Sequence, residues 1–207
     1  MKIATWNINS IRLRIDQVIK MVKDSQIDIL CLQETKTLDE NFPIEKFKDI
    51  GFTYQYFRGE KSYNGVAIVS KLKLGEYNYV NWCNKNDTRH ISVQLNHNTE
   101  LHNFYVPAGG DEPDILTNPK FEHKLSFLNE MQNFFRNDLE TNKILVGDLN
   151  IAPFEHDVWS HRQLLNVVSH TPLETDTLLE IIRTGDWIDV MSCLLYTSDA
   201  ADEHGCV

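Results

Sequence analysis

The run Ile27 to Leu32, IDILCL, constrains the fold more than any other stretch of this chain, because its centre is continuously apolar. A strand of this kind is buried on both faces, so its sheet must be covered on both sides. A first strand, Lys2 to Trp6, precedes it. Between the two strands, apolar residues recur with the period of an amphipathic helix at Ile15, Val18, Ile19 and Val22. Strand, helix and buried strand in this order predict a β-α-β unit and therefore an α/β architecture.

Further strands are predicted between Gly51 and Val106, where apolar runs alternate with turn-forming Gly, Asn and Asp. The predicted strands are Tyr54 to Phe57, Gly65 to Ser70, His90 to Leu95 and Leu101 to Val106. A polar loop from Pro107 to Pro119 leads into a helix that we expect from Phe121 to Leu139, with its apolar side in the core. The apolar run Lys143 to Val146 predicts one more buried strand, which Gly147 should end.

The last predicted helix has the clearest start signal in the sequence. Thr171 is the expected cap, Pro172 occupies the first helical position, and Glu174 completes a capping box. Gly185 should end this helix, and a short helix is expected before it over Gln163 to Val168.

The chain has 207 residues and a formal net charge of −10. Taken alone, this charge argues against a nucleic-acid partner, because proteins that bind polyanions usually concentrate Lys and Arg. An enzyme that works through a bound cation escapes the objection, since its site must be locally acidic. The first residues, MKIATWNINS, lack the apolar segment of a signal peptide, and no apolar run is long enough to span a membrane. Four cysteines without CxxC spacing predict free thiols in a reducing cytoplasm.

Polar residues follow three of the predicted strands at the point where each strand ends. Asn7 follows the first strand, Glu34 the second, and Asp148 with Asn150 the strand before Gly147. Because residues two apart in an extended chain point to the same side, Asp148 and Asn150 should project together. Ligands of layered α/β folds bind beyond the carboxyl ends of strands, where a carboxylate can hold a hard cation or accept a proton from water. Taken singly, each cluster also fits an ordinary turn or helix cap.

Five sequence blocks occur in the order and spacing of a known family: WNINSIRLR (Trp6 to Arg14), LQETK (Leu32 to Lys36), NGVAIVSK (Asn64 to Lys71), NFYVPAGG (Asn103 to Gly110) and GDLNIAP (Gly147 to Pro153). By these blocks the chain resembles the exonuclease III family, bacterial apurinic/apyrimidinic endonucleases of the endonuclease/exonuclease/phosphatase superfamily. The resemblance implies an α/β (α+β) four-layer sandwich of the DNase I-like type, with two mixed β-sheets packed face to face and helices outside. It also implies that residues 1–191 form one domain.

The resemblance further implies roles for individual residues. It implies that Asn7, Glu34, Asp148 and Asn150 form the metal and phosphate site, with Mg²⁺ or Mn²⁺ as the cofactor. Asp148 is then the residue that orients or deprotonates the attacking water, and Asn150 stabilises charge on the phosphate oxygens. Tyr105 is implied to contact the scissile phosphate, although it also fits a structural role as a packed strand aromatic. Such a set suits phosphodiester hydrolysis, which needs an in-line nucleophile and positive charge at the phosphate.

The activity that the resemblance implies is metal-dependent DNA repair by a monomer. It combines a 3′-to-5′ exonuclease with an abasic-site endonuclease, both on double-stranded DNA that is abasic or 3′-blocked. Arg12, Arg14, Lys36 and Arg89 are candidates for contacts with DNA phosphates, and each also fits a solvated surface charge. The sequence assigns no role to the segment His156 to His161, and the histidines have no metal-ligand spacing.

The sequence departs from the family pattern after Met191. An aromatic stretch with Trp and Arg, a strand with Asp and a final Ser-Asp-His are expected there, and Ser192 to Val207 contains none of them. We therefore expect residues 192–207 to be a foreign tail on a C-terminally truncated domain, with uncovered strand edges and little activity. Two alternatives remain open: another phosphoesterase of the superfamily, or a catalytically silent DNA-binding fragment.

Overall fold

The structure is a computed structural model that describes residues 1–136 and 141–190. Within this part the chain forms two four-stranded sheets, helices and short 3₁₀ turns. In chain order the strands are β1 Ile3–Asn7, β2 Ile29–Gln33, β3 Tyr54–Arg58, β4 Val66–Ser70, β5 Tyr77–Asn78, β6 His90–Asn96, β7 Thr99–Tyr105 and β8 Asn142–Asp148. The helices are α1 Ile11–Ser25, α2 Ile44–Lys48, α3 Pro119–Arg136, α4 His161–Leu164 and α5 Pro172–Thr184.

Both sheets mix parallel and antiparallel strand pairs. The first sheet has the order β1-β2-β4-β3, in which β1 and β2 are parallel and the other pairs antiparallel. The second has the order β5-β6-β7-β8, in which β7 and β8 are parallel and the other pairs antiparallel. Because α1 connects the parallel strands β1 and β2, the predicted β-α-β unit is confirmed.

Three apolar clusters show how the layers pack. Residues from both sheets, among them Cys31, Ile68, Ile91 and Leu101, are fully buried between the sheets. A second cluster packs α1 and α2 against the outer face of the first sheet, and a third packs α3 and α5 against the outer face of the second. Helix, sheet, sheet and helix therefore follow one another, and the predicted four-layer sandwich is confirmed.

Helix α5 begins and ends as predicted. The Thr171 hydroxyl accepts a hydrogen bond from the backbone N–H of Glu174, whose side chain in turn reaches back to the Thr171 backbone. Pro172 is the first helical residue. The backbone N–H of Gly185 closes the last turn on the Ile181 carbonyl oxygen at 3.0 Å. The capping box is therefore a local signal that the folded chain keeps.

The prediction that Gly147 ends the last strand is wrong. Strand β8 continues through Gly147 to Asp148, whose register partner in β7 is Tyr105. Gly147 lies opposite Phe104 with a φ of 141°, and a Cβ atom at this position would overlap the Phe104 carbonyl oxygen. Glycine thus allows the strand to continue close to its neighbour. Strand β8 is also partly exposed, not buried as predicted, because it is the outermost strand of its sheet in the described part of the chain.

Other boundaries differ from the predictions for local reasons. Helix α4 covers His161–Leu164, and turns and bends follow it. The predicted helix from Gln163 to Val168 is therefore wrong in its bounds. Strand β7 starts at Thr99 and ends at Tyr105, where the predicted strand ran from Leu101 to Val106. Strand β5 and helix α2 were not predicted, since two and five residues are too few for a periodic pattern. The predicted helix end at Leu139, the domain boundary at Met191 and the predicted tail lie outside the described residues.

Two further features concern the helices and the cysteines. Across residues 1–136 and 141–190, each helix is too short or too polar to serve as a membrane span. Cys31 and Cys83 carry free thiols. Cys31 is fully buried between the sheets, and this burial raises the pKa of its thiol. The Cys31 side chain therefore acts as a small apolar core residue.

Candidate active site

The polar residues predicted to form a site lie where the two parallel strand pairs end. Asn7 is the last residue of β1, and Glu34 directly follows β2. Tyr105 and Asp148 are the last residues of β7 and β8 and are register partners. Strand β1 contacts β8, so the carboxyl ends of the two pairs meet across the sandwich. The fold thereby brings together four side chains from distant parts of the chain.

The side chain of Asn7 joins the two carboxylates of this cluster. Its Nδ2 atom donates to Glu34 Oε1 at 2.8 Å and to Asp148 Oδ2 at 2.7 Å. Its Oδ1 atom accepts a hydrogen bond from the backbone N–H of Asn9 at 3.1 Å, which orients the amide. One neutral amide therefore holds two like charges together against their mutual repulsion.

Tyr105 donates another hydrogen bond into the cluster. Its hydroxyl lies 3.0 Å from Glu34 Oε1. Burial, the charge of Glu34 and the hydrogen bond to it raise the pKa of Tyr105 to about 12, so the hydroxyl keeps its proton at neutral pH. Burial alone would raise the pKa of Glu34, yet hydrogen bonds from Asn7, Lys36 and Tyr105, with the charge of Lys36, outweigh burial and lower it. Glu34 is therefore an ionised acceptor, and Tyr105 is a donor.

The backbone around Glu34 has a conformation that residues other than glycine seldom adopt. Glu34 has a φ of 53° and Lys36 a φ of 49°. The segment before α1 supports this turn, since the backbone N–H of Ser10 donates to the Glu34 carbonyl oxygen at 2.7 Å. From the other side, the backbone N–H of Thr35 donates to the Gly65 carbonyl oxygen at 3.1 Å. Strained positions persist where surrounding contacts determine them, which is typical of functional sites.

Asn150 reaches the cluster through a turn and not through strand alternation, so that part of the prediction is wrong. Its φ of 53° is left-handed, and the two-residue period of the strand ends at Asp148. The backbone N–H of Asn150 donates to Asp148 Oδ1 at 3.0 Å, and its Nδ2 atom donates to the Val106 carbonyl oxygen at 2.9 Å. The Oδ1 atom of Asn150 has no hydrogen-bond partner among the described residues. An amide oxygen of this kind can act as a ligand to a hard cation.

Lys36 is the predicted DNA contact that pairs directly with a carboxylate of the cluster. Its Nζ atom pairs with Glu34 Oε2 at 2.6 Å and donates to Asn9 Oδ1 at 2.7 Å. Arg14 donates to the carbonyl oxygen of the same Asn9. Arg12 lies in the first turn of α1 and is exposed. Lys36 is therefore an ion-pair partner of a site carboxylate in this structure, whereas Arg12 has the surroundings of a surface charge.

Arg89 lies beside Tyr105. Its guanidinium pairs with Asp87 Oδ2 at 2.7 Å and lies 4.8 Å from the centre of the Tyr105 ring. The two backbones are also joined, since the N–H of Tyr105 donates to the Arg89 carbonyl oxygen at 2.8 Å. Arg89 therefore contacts a residue of the cluster directly.

A buried lysine that the sequence analysis did not single out lies next to Asn150. The Nζ atom of Lys124 contacts the Asn150 carbonyl oxygen at 2.7 Å and Glu174 Oε1 at 2.5 Å. A sequence signal for Lys124 exists, because it falls between Phe121 and Phe127 on the apolar side of the predicted helix. A charge at such a position needs a buried partner.

Two buried amides, also missed, connect the sheets behind the cluster. Asn103, in β7, donates from Nδ2 to the carbonyl oxygens of Leu32 and Ala67 at 3.0 Å each. Gln33, in β2, donates to Asn103 Oδ1 at 2.6 Å. Both side chains are almost fully buried, so these bonds fix the distance between the sheets. Gln33 and Asn103 fall inside the blocks LQETK and NFYVPAGG, but no pattern in the sequence predicted their contacts, since the partners lie on other strands.

Histidines in the loop after β8 hold that loop together. His161 Nδ1 and His170 Nε2 lie 2.8 Å apart, and His170 Nδ1 lies 2.7 Å from the Ala152 carbonyl oxygen. A carbonyl oxygen can only accept, so His170 donates through Nδ1. Trp159, in the same loop, is 76% exposed. The buried His170 therefore has a structural role.

The donor atoms of the cluster suit a hard divalent cation that takes further ligands from water or substrate. Among residues 1–136 and 141–190, no group of three or more His, Cys, Asp or Glu side chains is placed to hold a metal ion. The cluster has two carboxylates, from Glu34 and Asp148, and the amides of Asn7 and Asn150. Oxygen donors of this kind are the ligands of Mg²⁺ and Mn²⁺, and Mg²⁺ usually keeps several waters. The residues present therefore fit such a cation.

The sequence matches a model of the endonuclease/exonuclease/phosphatase family over residues 4–191. It is 28% identical over 165 residues to an exodeoxyribonuclease III from Haemophilus influenzae. That alignment covers 76% of this chain and 60% of the relative, so the chain spans about three fifths of the relative's length.

Two solved structures share the arrangement of sheets and helices. An AP endonuclease from Archaeoglobus fulgidus superposes with a TM-score of 0.80 and 32% identity, over 88% of this chain and 70% of that chain. A 3′ phosphatase, NExo, from Neisseria, bound to a product DNA hairpin, superposes with a TM-score of 0.81 and 28% identity. This second match covers 89% of this chain and 71% of that one. The two mixed sheets with helices outside are thus the DNase I-like fold.

Proposed function

This chain belongs to the endonuclease/exonuclease/phosphatase family, and from that premise we propose that it is a metal-dependent phosphodiesterase of DNA repair. Its proposed activities are those of exonuclease III, a 3′-to-5′ exodeoxyribonuclease and an apurinic/apyrimidinic endonuclease. Its proposed substrate is double-stranded DNA with an abasic site or a blocked 3′ end. The relatives named exodeoxyribonuclease III, AP endonuclease and 3′ phosphatase support this choice of substrate.

One observation carries the proposal: the Asn7 amide joins Glu34 and Asp148 at 2.8 and 2.7 Å. Placing two carboxylates on one donor costs electrostatic free energy, and an ordinary turn or helix cap does not require it. A phosphodiesterase uses such a pair to hold a cation and to act on a water molecule. The pair therefore favours hydrolysis over a purely structural role.

The proposed roles divide the reaction among residues of the cluster. Asp148 orients the attacking water in line with the phosphorus atom and accepts its proton. Asn150 stabilises the negative charge that develops on the phosphate oxygens. Tyr105, with a pKa of about 12, keeps its proton and donates to the scissile phosphate.

Mg²⁺, or alternatively Mn²⁺, is the proposed cofactor. The family depends on a divalent cation. Glu34 and Asp148 would hold it together with Asn7 and Asn150, because these side chains are the oxygen donors of the cluster. When bound, the cation supplies positive charge to the phosphate and to the leaving oxygen. The hydrogen bonds of Asn7 and Tyr105 to Glu34 orient this carboxylate for its role.

Basic residues near the cluster are proposed to contact the DNA backbone. Lys36 and Arg89 would contact phosphates next to the scissile one, since both touch residues of the cluster. Arg12 and Arg14, in α1, would contact the backbone further along. These local charges offset the unfavourable field of a chain with a net charge of −10. We propose a monomer that acts in the cytoplasm, where free thiols such as Cys31 and Cys83 remain reduced.

A substrate panel tests the proposal. The purified chain is incubated with an abasic duplex, a duplex with a recessed 3′ end, a 3′-phosphate duplex and an inositol phosphate, each with Mg²⁺, Mn²⁺ or EDTA. We expect low but measurable turnover of the DNA substrates with a divalent cation and none with EDTA. Asp148→Asn should abolish this turnover. Asp16→Asn, which changes an exposed carboxylate in α1, should leave it unchanged and serves as the matched control.

Two results would overturn the proposal in different ways. Turnover of the inositol phosphate in place of DNA would assign another phosphoesterase activity of the family. Binding of abasic duplex without turnover in either metal would instead assign a catalytically silent DNA-binding protein.

A further inference from the structure

Lys124, in α3, is a charged residue without access to solvent. Its side chain and that of its ion-pair partner Glu174 are both 0% exposed. Its Nζ atom contacts four oxygens, namely Glu174 Oε1 at 2.5 Å, the Asn150 carbonyl at 2.7 Å, the Ala108 carbonyl at 3.2 Å and Ser169 Oγ at 3.4 Å. An ammonium group has three protons, so the three shortest contacts satisfy it.

Two of these contacts reach the segments that carry the proposed catalytic residues. Ala108 lies in the loop that follows Tyr105, and Asn150 lies in the turn that follows Asp148. The same ammonium group therefore ties the carboxyl end of β7 to that of β8. A buried charge-assisted bond to a carbonyl oxygen is among the stronger hydrogen bonds in proteins.

The partner carboxylate is itself firmly held. Glu174 accepts from the backbone N–H of Ser169 at 2.9 Å and from the Thr171 hydroxyl at 2.7 Å. The capping box of α5 thus fixes the counter-ion, and the counter-ion fixes the position of the Lys124 ammonium group. The capping box that begins α5 is thereby connected, through Glu174 and Lys124, to Asn150 of the proposed site.

The loop after β7 passes directly over the lysine side chain. Gly109 has a φ of 93°, and a Cβ atom there would lie 3.0 Å from Lys124 Cδ and 2.9 Å from Val168 Cγ1. The space around the lysine is therefore filled, and its ammonium group cannot move away without displacing the loop.

We propose that Lys124 is a positioning residue for the reaction, because its bond to the Asn150 carbonyl oxygen holds the left-handed turn that places Asn150 beside Asp148. The inference rests on the proposed function, in which Asn150 acts on the phosphate. Stability by itself does not require this pair, since buried ion pairs can often be replaced by apolar residues without loss. The bond acts on the turn instead, because the Lys124 ammonium group is the charged donor that holds the carbonyl oxygen of Asn150, the residue with the left-handed φ of 53°.

The double variant Lys124→Met/Glu174→Gln tests the inference, because it removes both charges and leaves no uncompensated buried ion. We expect it to fold and to bind abasic duplex with a Kd within about twofold of the parent, while kcat falls roughly 10- to 100-fold, as for a small misplacement of a catalytic group. Phe47→Leu, in the core on the other side of the molecule, is the control for lost stability alone, and its kcat should not change. A folded double variant with the kcat of the parent would overturn the inference.

Two further measurements keep the test decisive. If the double variant does not fold, Lys124→Met alone removes the bond to Asn150 while Glu174 keeps its hydrogen bonds from Ser169 and Thr171, and an unchanged kcat in that variant would again overturn the inference. If the parent protein cleaves no DNA, the proposed function fails, and the side-chain amide resonances of Asn150 decide the positioning role. We then expect one sharp pair of signals in the parent and shifted or broadened signals in the variant, and identical spectra would contradict the role.

Discussion

Asn7 Nδ2 and Asp148 Oδ2 lie 2.7 Å apart, although 141 positions separate the two residues in the chain. The bond joins the last residue of β1, in one sheet, to the last residue of β8, in the other. The proposed site therefore exists only when both sheets are packed on each other. Four predictions concern this site and the strands β6, β7 and β8 that pack near it.

Asn7→Ala should lower kcat on abasic duplex by roughly 100-fold, the effect of removing one pre-positioned donor from an active site. The physical reason is that Glu34 and Asp148 lose the amide that holds them together. Steady-state kinetics measure the effect, and circular dichroism verifies that the variant is folded. Asn41→Ala removes an exposed amide that contacts the neighbouring Glu40, and it should leave kcat unchanged. Equal losses of kcat in the two variants would show that turnover does not depend on the Asn7 bridge between the two carboxylates.

Tyr105→Phe should raise the pKa of Glu34 in the metal-free protein, because one of the hydrogen bonds that lower it is lost. A lowered carboxyl pKa contributes stability that is present above the unfolded value of 4.5 and is lost as pH falls through the folded pKa. Tyr105→Phe should therefore lose part of the free energy of unfolding that the lowered pKa of Glu34 contributes. Titration of the Glu34 side-chain carboxyl carbon by NMR measures the shift. Tyr63→Phe, at an exposed position, is the control, and the same titration curve in all three proteins would refute the prediction.

Gly147→Ala should destabilise the protein by about 3 kcal/mol or more, a loss typical of severe backbone strain. A Cβ atom at this position overlaps the Phe104 carbonyl oxygen and the φ of 141° is unfavourable. Gly51→Ala is a matched control, since Gly51 has a φ of 90° and a Cβ atom there would make only an ordinary van der Waals contact, with Lys71 Cγ at 4.0 Å. Its cost should be about 1 kcal/mol, from the backbone conformation alone. Urea denaturation measures both values, and equal losses would mean that close approach of β7 and β8 is not what requires glycine.

The buried His90 should make the protein sensitive to acid. Its Nδ1 atom accepts a hydrogen bond from the Val80 N–H at 3.1 Å, which requires a neutral ring, and its Nε2 atom lies 3.1 Å from His102 Nδ1. Burial, with the charges of His102 and Arg58, holds the pKa of His90 well below its ordinary value of 6.5. The unfolded chain therefore binds an extra proton at mildly acid pH, and the free energy of unfolding falls as pH drops below 6.5.

Urea denaturation between pH 7.5 and 5 measures this loss, whose slope from one proton is at most about 1.4 kcal/mol per pH unit. His90→Gln should be less stable at pH 7.5 but should have a flatter dependence on pH. His97→Gln, in the exposed turn between β6 and β7, should keep the slope of the parent. A slope that His90→Gln leaves unchanged would assign the acid sensitivity to other groups.

Features that depend on near neighbours in the chain could be predicted from the amino-acid sequence alone. The β1–α1–β2 unit formed as predicted, and so did the capping box of α5, because hydrophobic periodicity and capping act over a few residues. The sequence blocks also pointed to Asn7, Glu34 and Asp148, and in the structure the Asn7 amide donates to both carboxylates.

Contacts between residues that are far apart in the chain could not be predicted in this way, because they form only in the folded protein. A glycine in a sequence can mark the end of a strand or a place where a strand passes close to its neighbour. At Gly147 the close approach of Phe104 is the reason for glycine, and the strand continues. A lysine can face solvent, a carboxylate or a carbonyl oxygen, and only the packed sheets and helices set the partners of Lys36 and Lys124. The physical reason is that strain and electrostatic free energy depend on burial and on the distance between groups, which a linear sequence does not contain.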